Sequence, residues 1–484
     1  MADWTWQAIR NSTHPDSVLK FNHPQYGTGD NPVLPDFINV GGEGGLSESQ
    51  VDLQDALSKY NVNPDNGAIY QVVRANKAGT DWYDAITRTA PFTRHGLGFT
   101  GSSETARFYV GLSVQEQAGI LEYNNFKRYA ARINTEFDLG KRVRIGENIQ
   151  ITYRSVLGQQ GGGDGANVSQ DENDILFAFR MPTIIPIYDE KGGYAGTAAS
   201  GFNNPANPVA RRDGSRDNSA YGAGGFGNLY GEVDILENLT FRTSIGGNFS
   251  QFYGYSFTRR SYENAENNAA FGYSGFAGSS FSWVFTNTFR YKKQFGIHSF
   301  DILAGQEALK DGIFRNINGS GLNPFSITPD YITLNTVGNR QVGSENNTPW
   351  TYSSYFGRAH YSLSDKYYVT GVVRRDGSSR FGVNNRFGVF PGFSAAWRMS
   401  GENFMRGLTW IDDLKVRGGW GQMGNDNNVS PVNQYSLFAA SLGASAYDIG
   451  GTNTGTAEGF FQRRVGNPNA KWGGNTANHN CVGA

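Results

Sequence analysis

Residues 107–115 read RFYVGLSVQ, and this stretch decides the fold class. Phe108, Val110, Leu112 and Val114 alternate with residues that are polar, small or able to face water. Side chains of a β-strand point to opposite faces in turn, so this period of two predicts a strand with one apolar face.

The same alternation recurs along most of the chain. Short or long connections separate the segments, and the pattern predicts roughly twelve strands. The clearest further segments are 131–139, 143–153, 239–249, 355–363, 391–399 and 414–421.

The connections between these segments fall into two length classes. Short turns are predicted at 101–106, 140–142, 237–238, 292–297 and 364–365, whereas long excursions are predicted at 155–227, 251–281 and 307–352. Bacterial outer-membrane barrels have tight periplasmic turns and large extracellular loops. A soluble β-sandwich has no reason to sort its loops by length. The sequence therefore favours an all-β chain that forms part of a large antiparallel transmembrane β-barrel with long extracellular loops.

Composition agrees with a wide barrel and excludes several other classes. The 484 residues include 64 glycines and 14% aromatic residues, and the mean hydropathy is −0.49. No run of about 18 apolar residues exists, which excludes helical membrane spans. A net charge of −1 offers no field for nucleic acid. The single cysteine, Cys481, and six scattered histidines predict no disulfide, no metal site and no cofactor.

The two ends differ from the rest of the chain. Residues 1–7 have neither the basic start nor the apolar core of a secretory signal, and residues 473–484 resemble a glycine- and asparagine-rich tail instead of a strand. We therefore expect an internal piece of a longer protein. Before the strands, helices are predicted near 47–59 and 81–87. If the turn at 101–106 is periplasmic, this leading segment lies on the extracellular side.

No catalytic arrangement stands out, and no enzyme is predicted. Residues 222–227 match GxGxxG, but no helix follows them, so we interpret them as loop glycines. The acidic cluster at 171–174 is interpreted as a solvated loop surface. The polar stretch 371–390 either stabilises a strand-end loop by pairing Arg with Asp or binds a ligand, and the first interpretation is favoured.

That polar stretch carries a resemblance to a known family. The segments DKYYVTG (365–371), RRDGSSRFG (374–382), FPGFSAAWR (390–398) and DLKVR (413–417) resemble, in this order, the SusC/RagA-type TonB-dependent transporters of Bacteroidota. The family-signature residues are Arg375, Asp376, Gly377, Ser378, Ser379, Arg380, Phe381 and Gly382.

The resemblance implies an outer-membrane barrel of about 22 strands that is plugged by a separate N-terminal domain. On this basis residues 1–94 are an extracellular loop or incomplete leading segment, residues 95–472 are the barrel portion, and residues 473–484 are an aberrant or truncated tail. We expect the plug domain to be absent from this sequence. The implied function is TonB-dependent import of glycans, oligosaccharides or peptides across the outer membrane. Implied partners are outer-membrane lipid, a SusD-like surface lipoprotein, and TonB through the missing N-terminal part.

Loop aromatics are the residues expected to contact substrate or lid, because rings stack on sugars and bury peptide side chains. The candidates by loop position are Tyr194, Phe202, Tyr221, Tyr331 and Trp350. The alternative is a soluble or surface β-rich carbohydrate-binding or adhesion protein that uses the same aromatics. A polysaccharide-degrading enzyme is disfavoured, because no paired carboxylates are recognisable.

Overall fold

The computed structural model describes residues 2–12, 23–42, 44–158, 173–408, 410–441, 443–451 and 455–483. Within these ranges the chain is mostly β-structure. Its strands are β1 (Phe37–Val40), β2 (Gln71–Arg74), β3 (Phe92–Ser102), β4 (Ala106–Ala118), β5 (Asn125–Leu139), β6 (Val143–Leu157), β7 (Ser219–Leu236), β8 (Leu239–Thr258), β9 (Gly272–Phe295), β10 (His298–Leu322), β11 (Gly338–Asn346), β12 (Trp350–Leu363), β13 (Tyr367–Ser378), β14 (Phe387–Arg398), β15 (Lys415–Asn425), β16 (Leu437–Ala440), β17 (Ala446–Tyr447), β18 (Ala457–Glu458), β19 (Phe460–Arg464) and β20 (Gly473–Gly483).

One antiparallel sheet of 14 strands dominates the structure. Strands β3 to β10 pair in chain order, β12 follows β10, β13 to β15 continue the order, and β20 pairs with β15. Strand β11 pairs with β10 off this path. The all-β antiparallel prediction is confirmed. In the described part of the chain the sheet does not close on itself, and β3 and β20 are its two ends.

The short turns lie together at one end of the sheet, as the sequence predicted. They span 103–105, 140–142, 237–238, 296–297 and 364–366. Ser364 and Asp365 both have a positive φ, of 53° and 55°, which suits the tight turns that match strand twist. The largest connection, 158–218, lies at the other end. The connection 399–414 departs from the predicted sorting, because it is long and lies with the short turns. We call the two ends the turn end and the loop end.

Several predicted loops are shorter than expected because the strands continue into them. The glycine-rich residues 222–227 belong to β7, the excursion 251–281 shrinks to 259–271, and β10 extends to Leu322 in the predicted loop 307–352. Residues 473–483, expected to be a tail, form β20. Backbone ladder bonds do not depend on side chains, so glycine- and serine-rich segments pair without alternating hydrophobicity.

The sheet has an apolar face and a polar face. Cross-strand partners share a face, and Ile133 pairs with Val110 on one side and with Ile149 on the other. Stacked ring pairs lie on the apolar face, with Tyr221 and Tyr253 near the loop end and Tyr367 and Trp397 near the turn end. Aromatic rings thus lie near both ends of the apolar face.

The polar face carries ion pairs that cross strand boundaries. Asp301 on β10 accepts from Arg290 on β9 at 2.6 Å and from Arg358 on β12 at 3.2 Å. Arg144 on β6 pairs with Glu232 on β7. These carboxylates therefore compensate three arginines within the wall.

Five helices lie outside the large sheet in the described ranges: α1 (Ala2–Ser12), α2 (Leu53–Lys59), α3 (Trp82–Ile86), α4 (Asp174–Arg180) and α5 (Pro208–Gly214). Asp81, Asn173 and Asn207 cap the N-termini of α3, α4 and α5. None of the described helices is long and apolar enough to cross a membrane. Among the described residues there are six 3₁₀ turns: Glu48–Gln50, Pro64–Asn66, Pro329–Tyr331, Val383–Asn385, Met399–Gly401 and Asn403–Met405.

Candidate functional site

A compact cap covers the loop end of the sheet. It consists of residues 2–12, 23–42, 44–87, 119–124 and 173–218, and we call this the loop cap. Segments that are distant in sequence share one apolar core. The buried members are Trp6, Tyr26, Ile38, Val40, Val73, Trp82, Ile86, Leu121, Ala178, Met181, Ile184, Ile185, Ala195 and Ala199. The leading segment thus packs against the longest loop.

A buried ion pair joins the two halves of the longest loop. Asp174 is fully buried and accepts from Arg211 at 2.8 Å and from Arg212 at 3.0 Å. Arg212 also donates at 2.7 Å to the carbonyl of Glu122, which lies between β4 and β5. The acidic cluster at 171–174 was interpreted as a solvated surface, and this was wrong for Asp174. Residues 171 and 172 lie outside the described residues.

Asp189 organises the next part of the loop cap. Its carboxylate accepts from the Tyr60 hydroxyl, from Gln71 Nε2 at 2.7 Å and from the Gly193 amide at 2.8 Å. Burial, followed by the hydrogen bond to Asp189, raises the pKa of Tyr60 above its ordinary value. The tyrosine therefore stays a neutral donor at physiological pH.

A cavity of about 1010 Å³ opens between the longest loop and residues 256–268. Its lining is rich in groups that donate or accept hydrogen bonds: Arg180, Arg211, Arg259, Arg260, Asp213, Glu263, Glu266, Asn204, Asn218, Asn264, Asn267 and Asn268. Phe177, Tyr194, Phe257 and Tyr262 add aromatic surface. We call this space the cap cavity. Few apolar faces among many polar groups suit a ligand with repeated hydroxyls or amides.

The charged side chains of the cap cavity differ in whether they already have an ion-pair partner. Arg211 is engaged by Asp174, and Arg259 donates to Asp217 at 2.5 Å. Arg260 is exposed and has no ion-pair partner within the described ranges. Burial raises the pKa of Glu263, whose oxygens accept from its neighbours' backbone and amide groups. Arg260 is therefore the guanidinium most available to a ligand.

Two of the five candidate aromatics lie in the loop cap. Tyr194 lines the cap cavity and stacks on Tyr188 at 5.5 Å, and burial raises its pKa. Phe202 packs on the rings of His23 and Tyr26, at 6.1 Å and 6.2 Å. Tyr194 touches the cavity, whereas Phe202 belongs to the apolar core.

The other three candidates lie apart from the cap cavity. Tyr221 belongs to β7 instead of a loop and points to the apolar face, stacked on Tyr253 at 4.7 Å. Tyr331 is exposed in a 3₁₀ turn beyond β10. Trp350 begins β12, and its ring lies 4.4 Å from the guanidinium of Arg380. The structure therefore does not bring the five residues into one site.

The family-signature segment ends β13 and connects to the loop after β15. Ser378 donates to Asp426 at 2.8 Å, Tyr352 donates to the same carboxylate, and Arg380 donates to the carbonyls of Asp426 and Val429 at 3.2 Å and 2.9 Å. Ser379 and Thr351 exchange hydrogen bonds of 3.0 Å and 2.9 Å. Asp426, absent from the sequence-based candidates, is the acceptor at the centre of this network.

The last two residues of the signature, Phe381 and Gly382, pack against the segment that precedes β20. Phe381 is fully buried, and its ring lies 5.0 Å from that of Trp472. A Cβ on Gly382 would lie 2.2 Å from the carbonyl oxygen of Pro468, so only glycine fits this approach.

The first residues of the signature lie on the two faces of β13. Arg375 covers the ring of Phe387 at 3.8 Å on the apolar face, and Gly377 leaves room for that same ring. Asp376 accepts from Arg374 at 2.6 Å on the polar face. These contacts support the interpretation that the signature stabilises a strand-end loop.

No candidate metal centre was found in the part of the chain that the structure describes: no three or more His, Cys, Asp or Glu side chains come together. His298 and His360 instead bond to Tyr361 and Thr370, each at 2.7 Å.

No protein-family model matches the chain. The TonB-dependent receptor SusC of Bacteroides thetaiotaomicron is 28% identical over 429 residues, which cover 82% of this chain and 39% of that protein. The TonB-dependent receptor P3 of Formosa agariphila is 26% identical over 416 residues, which cover 82% of this chain and 38% of that protein. The chain thus spans about two fifths of the length of these curated relatives.

Solved structures support the same fold. The structure of the RagAB peptide transporter matches with a TM-score of 0.65 and 22% identity, covering 82% of this chain and 43% of that chain. The RagAB peptide importer in the closed-closed state matches with a TM-score of 0.68 and 21% identity, covering 88% and 45%. The large sheet is therefore part of a TonB-dependent barrel fold.

Proposed function

Because the chain is of the SusC/RagA type of TonB-dependent receptor in sequence and fold, we propose that it serves as barrel wall and loop cap of an outer-membrane importer. The cargo is a glycan, an oligosaccharide or a peptide. TonB supplies the energy through a part of the transporter outside this chain, and a SusD-like surface lipoprotein closes over the loop end.

The single observation that carries this proposal is the division of the sheet into an apolar and a polar face. Leu97, Phe99 and Ile151 are 64%, 55% and 50% exposed on the apolar face. A soluble protein rarely exposes a continuous apolar surface of this kind, whereas a barrel turns it towards lipid. The face therefore does not support the alternative of a soluble binding or adhesion protein. The receptors named above are also consistent with a protein that is not an enzyme.

The cap cavity is the proposed place of first capture. It lies at the loop end, which faces the outside in barrels of this kind. Its amides and arginines match the hydroxyls of sugars and the amides of peptides equally well, so both cargo classes remain within the proposal.

Two experiments on the complete receptor test this function. The first is cell fractionation with electrophoresis of boiled and unboiled samples. Recovery in the detergent-extracted outer membrane, with a heat-dependent apparent size, is expected. Recovery in a soluble fraction would contradict membrane insertion.

The second experiment changes the cap cavity. Arg260→Ala should weaken cargo uptake about tenfold in apparent affinity, because one charge-assisted hydrogen bond is lost. Arg406→Ala is the matched control, since Arg406 is an exposed arginine near the turn end. Alanine replacements of Tyr194, Phe202, Tyr221, Tyr331 and Trp350 extend the test, and Tyr194→Ala should have the largest effect of the five. Unchanged uptake in Arg260→Ala and Tyr194→Ala would exclude the cap cavity as the capture site.

A further inference from the structure

Strand β10 changes faces at a bulge. Up to Lys310, its even-numbered residues share the apolar face, and Lys310 pairs with Trp283 of β9. The next aligned pair is Ile313 with Phe281. Between these two pairs the chain moves three positions along β10 but only two along β9, so β10 contains one extra residue. Beyond the bulge, odd-numbered residues occupy the apolar face, because one inserted residue inverts the alternation.

Glycine is required at this bulge. Gly312 has a φ of +73°, and a Cβ there would lie 2.2 Å from the ring of Trp350. A side chain would therefore be both strained and blocked. Without the extra residue, Arg315 would point to the polar face, where Arg144, Arg290 and Arg358 form ion pairs. The bulge instead directs it to the apolar face.

Arg315 borders a cleft of about 500 Å³ on that face, near the loop end. Small residues form the floor: Ala277 and Ser279 of β9, which pair with Ile317 and Arg315. The ring of Tyr253 forms the opposite wall, since Tyr253 pairs with Ala277 from the other side. Two strand spacings separate the walls, which makes the cleft about 10 Å wide.

Arg315 is the one charged side chain among the described residues that line the cleft. Arg315 is exposed, and no carboxylate within the described ranges lies within ion-pair distance of it. The acidic Glu116, on the same face near the loop end, is already paired with Lys127 at 2.6 Å. An unpaired guanidinium beside hydrocarbon is costly, and its planar fork matches the geometry of a phosphate, the anionic group of membrane lipids.

The tyrosines of the cleft fit the same ligand. Tyr153, Tyr221 and Tyr253 line it, and the last two stack at 4.7 Å. Tyrosines of a membrane protein concentrate at the level of the lipid headgroups, with their hydroxyls towards water. Rings and hydroxyls together offer an apolar contact for an acyl chain and donors for a headgroup.

We propose that this cleft binds a phosphorylated outer-leaflet lipid, with the phosphate on Arg315 and an acyl chain between Tyr253 and Ile317. The proposal rests on the proposed function, because it needs the apolar face to contact a membrane. The ligand is a lipid of the surrounding leaflet and not the transported cargo.

The test measures lipid binding to the complete receptor in detergent by native mass spectrometry. The probes are a monophosphorylated lipid A and the same lipid with its phosphate removed. Arg315→Gln should lower the apparent affinity for the phosphorylated lipid about tenfold, the loss expected for one charge-assisted phosphate contact. Arg340→Gln, which removes an exposed arginine of β11 outside the cleft, is the control and should bind as the unmodified receptor does.

The dephosphorylated lipid and inorganic phosphate serve as further controls in the lipid-binding experiment. The unmodified receptor should bind the dephosphorylated lipid about tenfold more weakly than the phosphorylated lipid. Arg315→Gln should bind the two lipids equally. Equal binding of the phosphorylated lipid to the receptor and to Arg315→Gln would overturn the proposal. Displacement of the lipid by inorganic phosphate would also overturn it, because the site would then be one for a free anion.

A second variant protects the test against misfolding. Ser279→Trp fills the floor of the cleft and leaves the arginine in place, and it should also reduce lipid retention. Unchanged retention in this variant would overturn the proposal even if Arg315→Gln failed to fold. A receptor that imports cargo from the outer membrane but retains lipid equally in both variants would contradict this inference alone. A soluble protein would contradict the proposed function as well.

Discussion

The loop cap and the strand wall use the same residue types in opposite ways. In the cap, Trp6 and Ile185 are 1% and 0% exposed, because segments far apart in sequence close over them. In the wall, Leu97 and Ile151 are at least half exposed, and no described segment covers them. The cap therefore stabilises itself by burial within the chain, whereas the apolar face of the wall gains no burial from the described residues and, under the proposed function, lies against lipid.

Polar groups show the same contrast. Asp174 is buried in the cap with two arginines, whereas Asp301 and its arginines line the open polar face of the wall. A change in the cap should thus act on local packing, and a change in the wall should act on insertion in lipid.

The largest expected effect is in the core of the cap. Trp6→Ala should lower the free energy of opening of the cap by about 3–5 kcal/mol, because a buried indole is removed and a cavity remains. The measurement is the rate of limited proteolysis in the cap of the folded receptor. Trp4 on the same helix is 78% exposed, so Trp4→Ala should change this rate little. Equal rates for the two variants would mean that the cap has no cooperative core.

The next effect belongs to the wall. Ile149→Arg should lower the unfolding free energy in bilayers by about 2–4 kcal/mol, the cost of an arginine on the lipid side near mid-membrane. The neighbouring Asn148 points to the polar face, so Asn148→Arg should cost much less. Folding titrations in lipid vesicles measure both values. A larger cost for Asn148→Arg would reverse the assignment of the two faces.

The smallest effect concerns pH and the cap cavity. Burial raises the pKa of Glu263 above its ordinary value of 4.5, so the folded cap holds this proton more tightly than the opened cap does. The stabilisation is complete below pH 4.5 and is lost as pH rises through the raised pKa. The hydrogen-exchange rate of residues 259–271 should therefore rise with pH more steeply than the intrinsic exchange rate does. Glu263→Gln should remove this excess over the intrinsic rise. Glu266→Gln, at an exposed carboxylate, is the control and should leave the excess in place.

Much of the wall was predictable from local pattern. Alternation along residues 107–115 and 131–153 depends only on which side chains neighbour each other along a strand, and the turns at 140–142 and 237–238 follow from chain length between strands. The strands that escaped prediction have little alternation. In β20 and in residues 222–227, glycine and asparagine leave no apolar signal, although their backbones pair with β15 and β6.

The candidate site was less predictable, because its contacts join residues that are far apart in sequence. Tyr194 was found from its loop position, but the cap cavity also needs Arg260 from another loop. The centre of the signature network was missed for the same reason, since Asp426 lies 48 residues after Ser378.

By itself, therefore, the sequence determined an antiparallel β-wall with one apolar face, the positions of its short turns, and a likeness to a transporter family. These properties follow from spacing and side-chain chemistry along the chain. Only the tertiary structure decided which acidic residue is buried, which arginines stay free, and which way β10 faces beyond Gly312. Burial and pairing depend on what other segments bring to the same place, and one bulge reverses an alternation that the residues alone suggest.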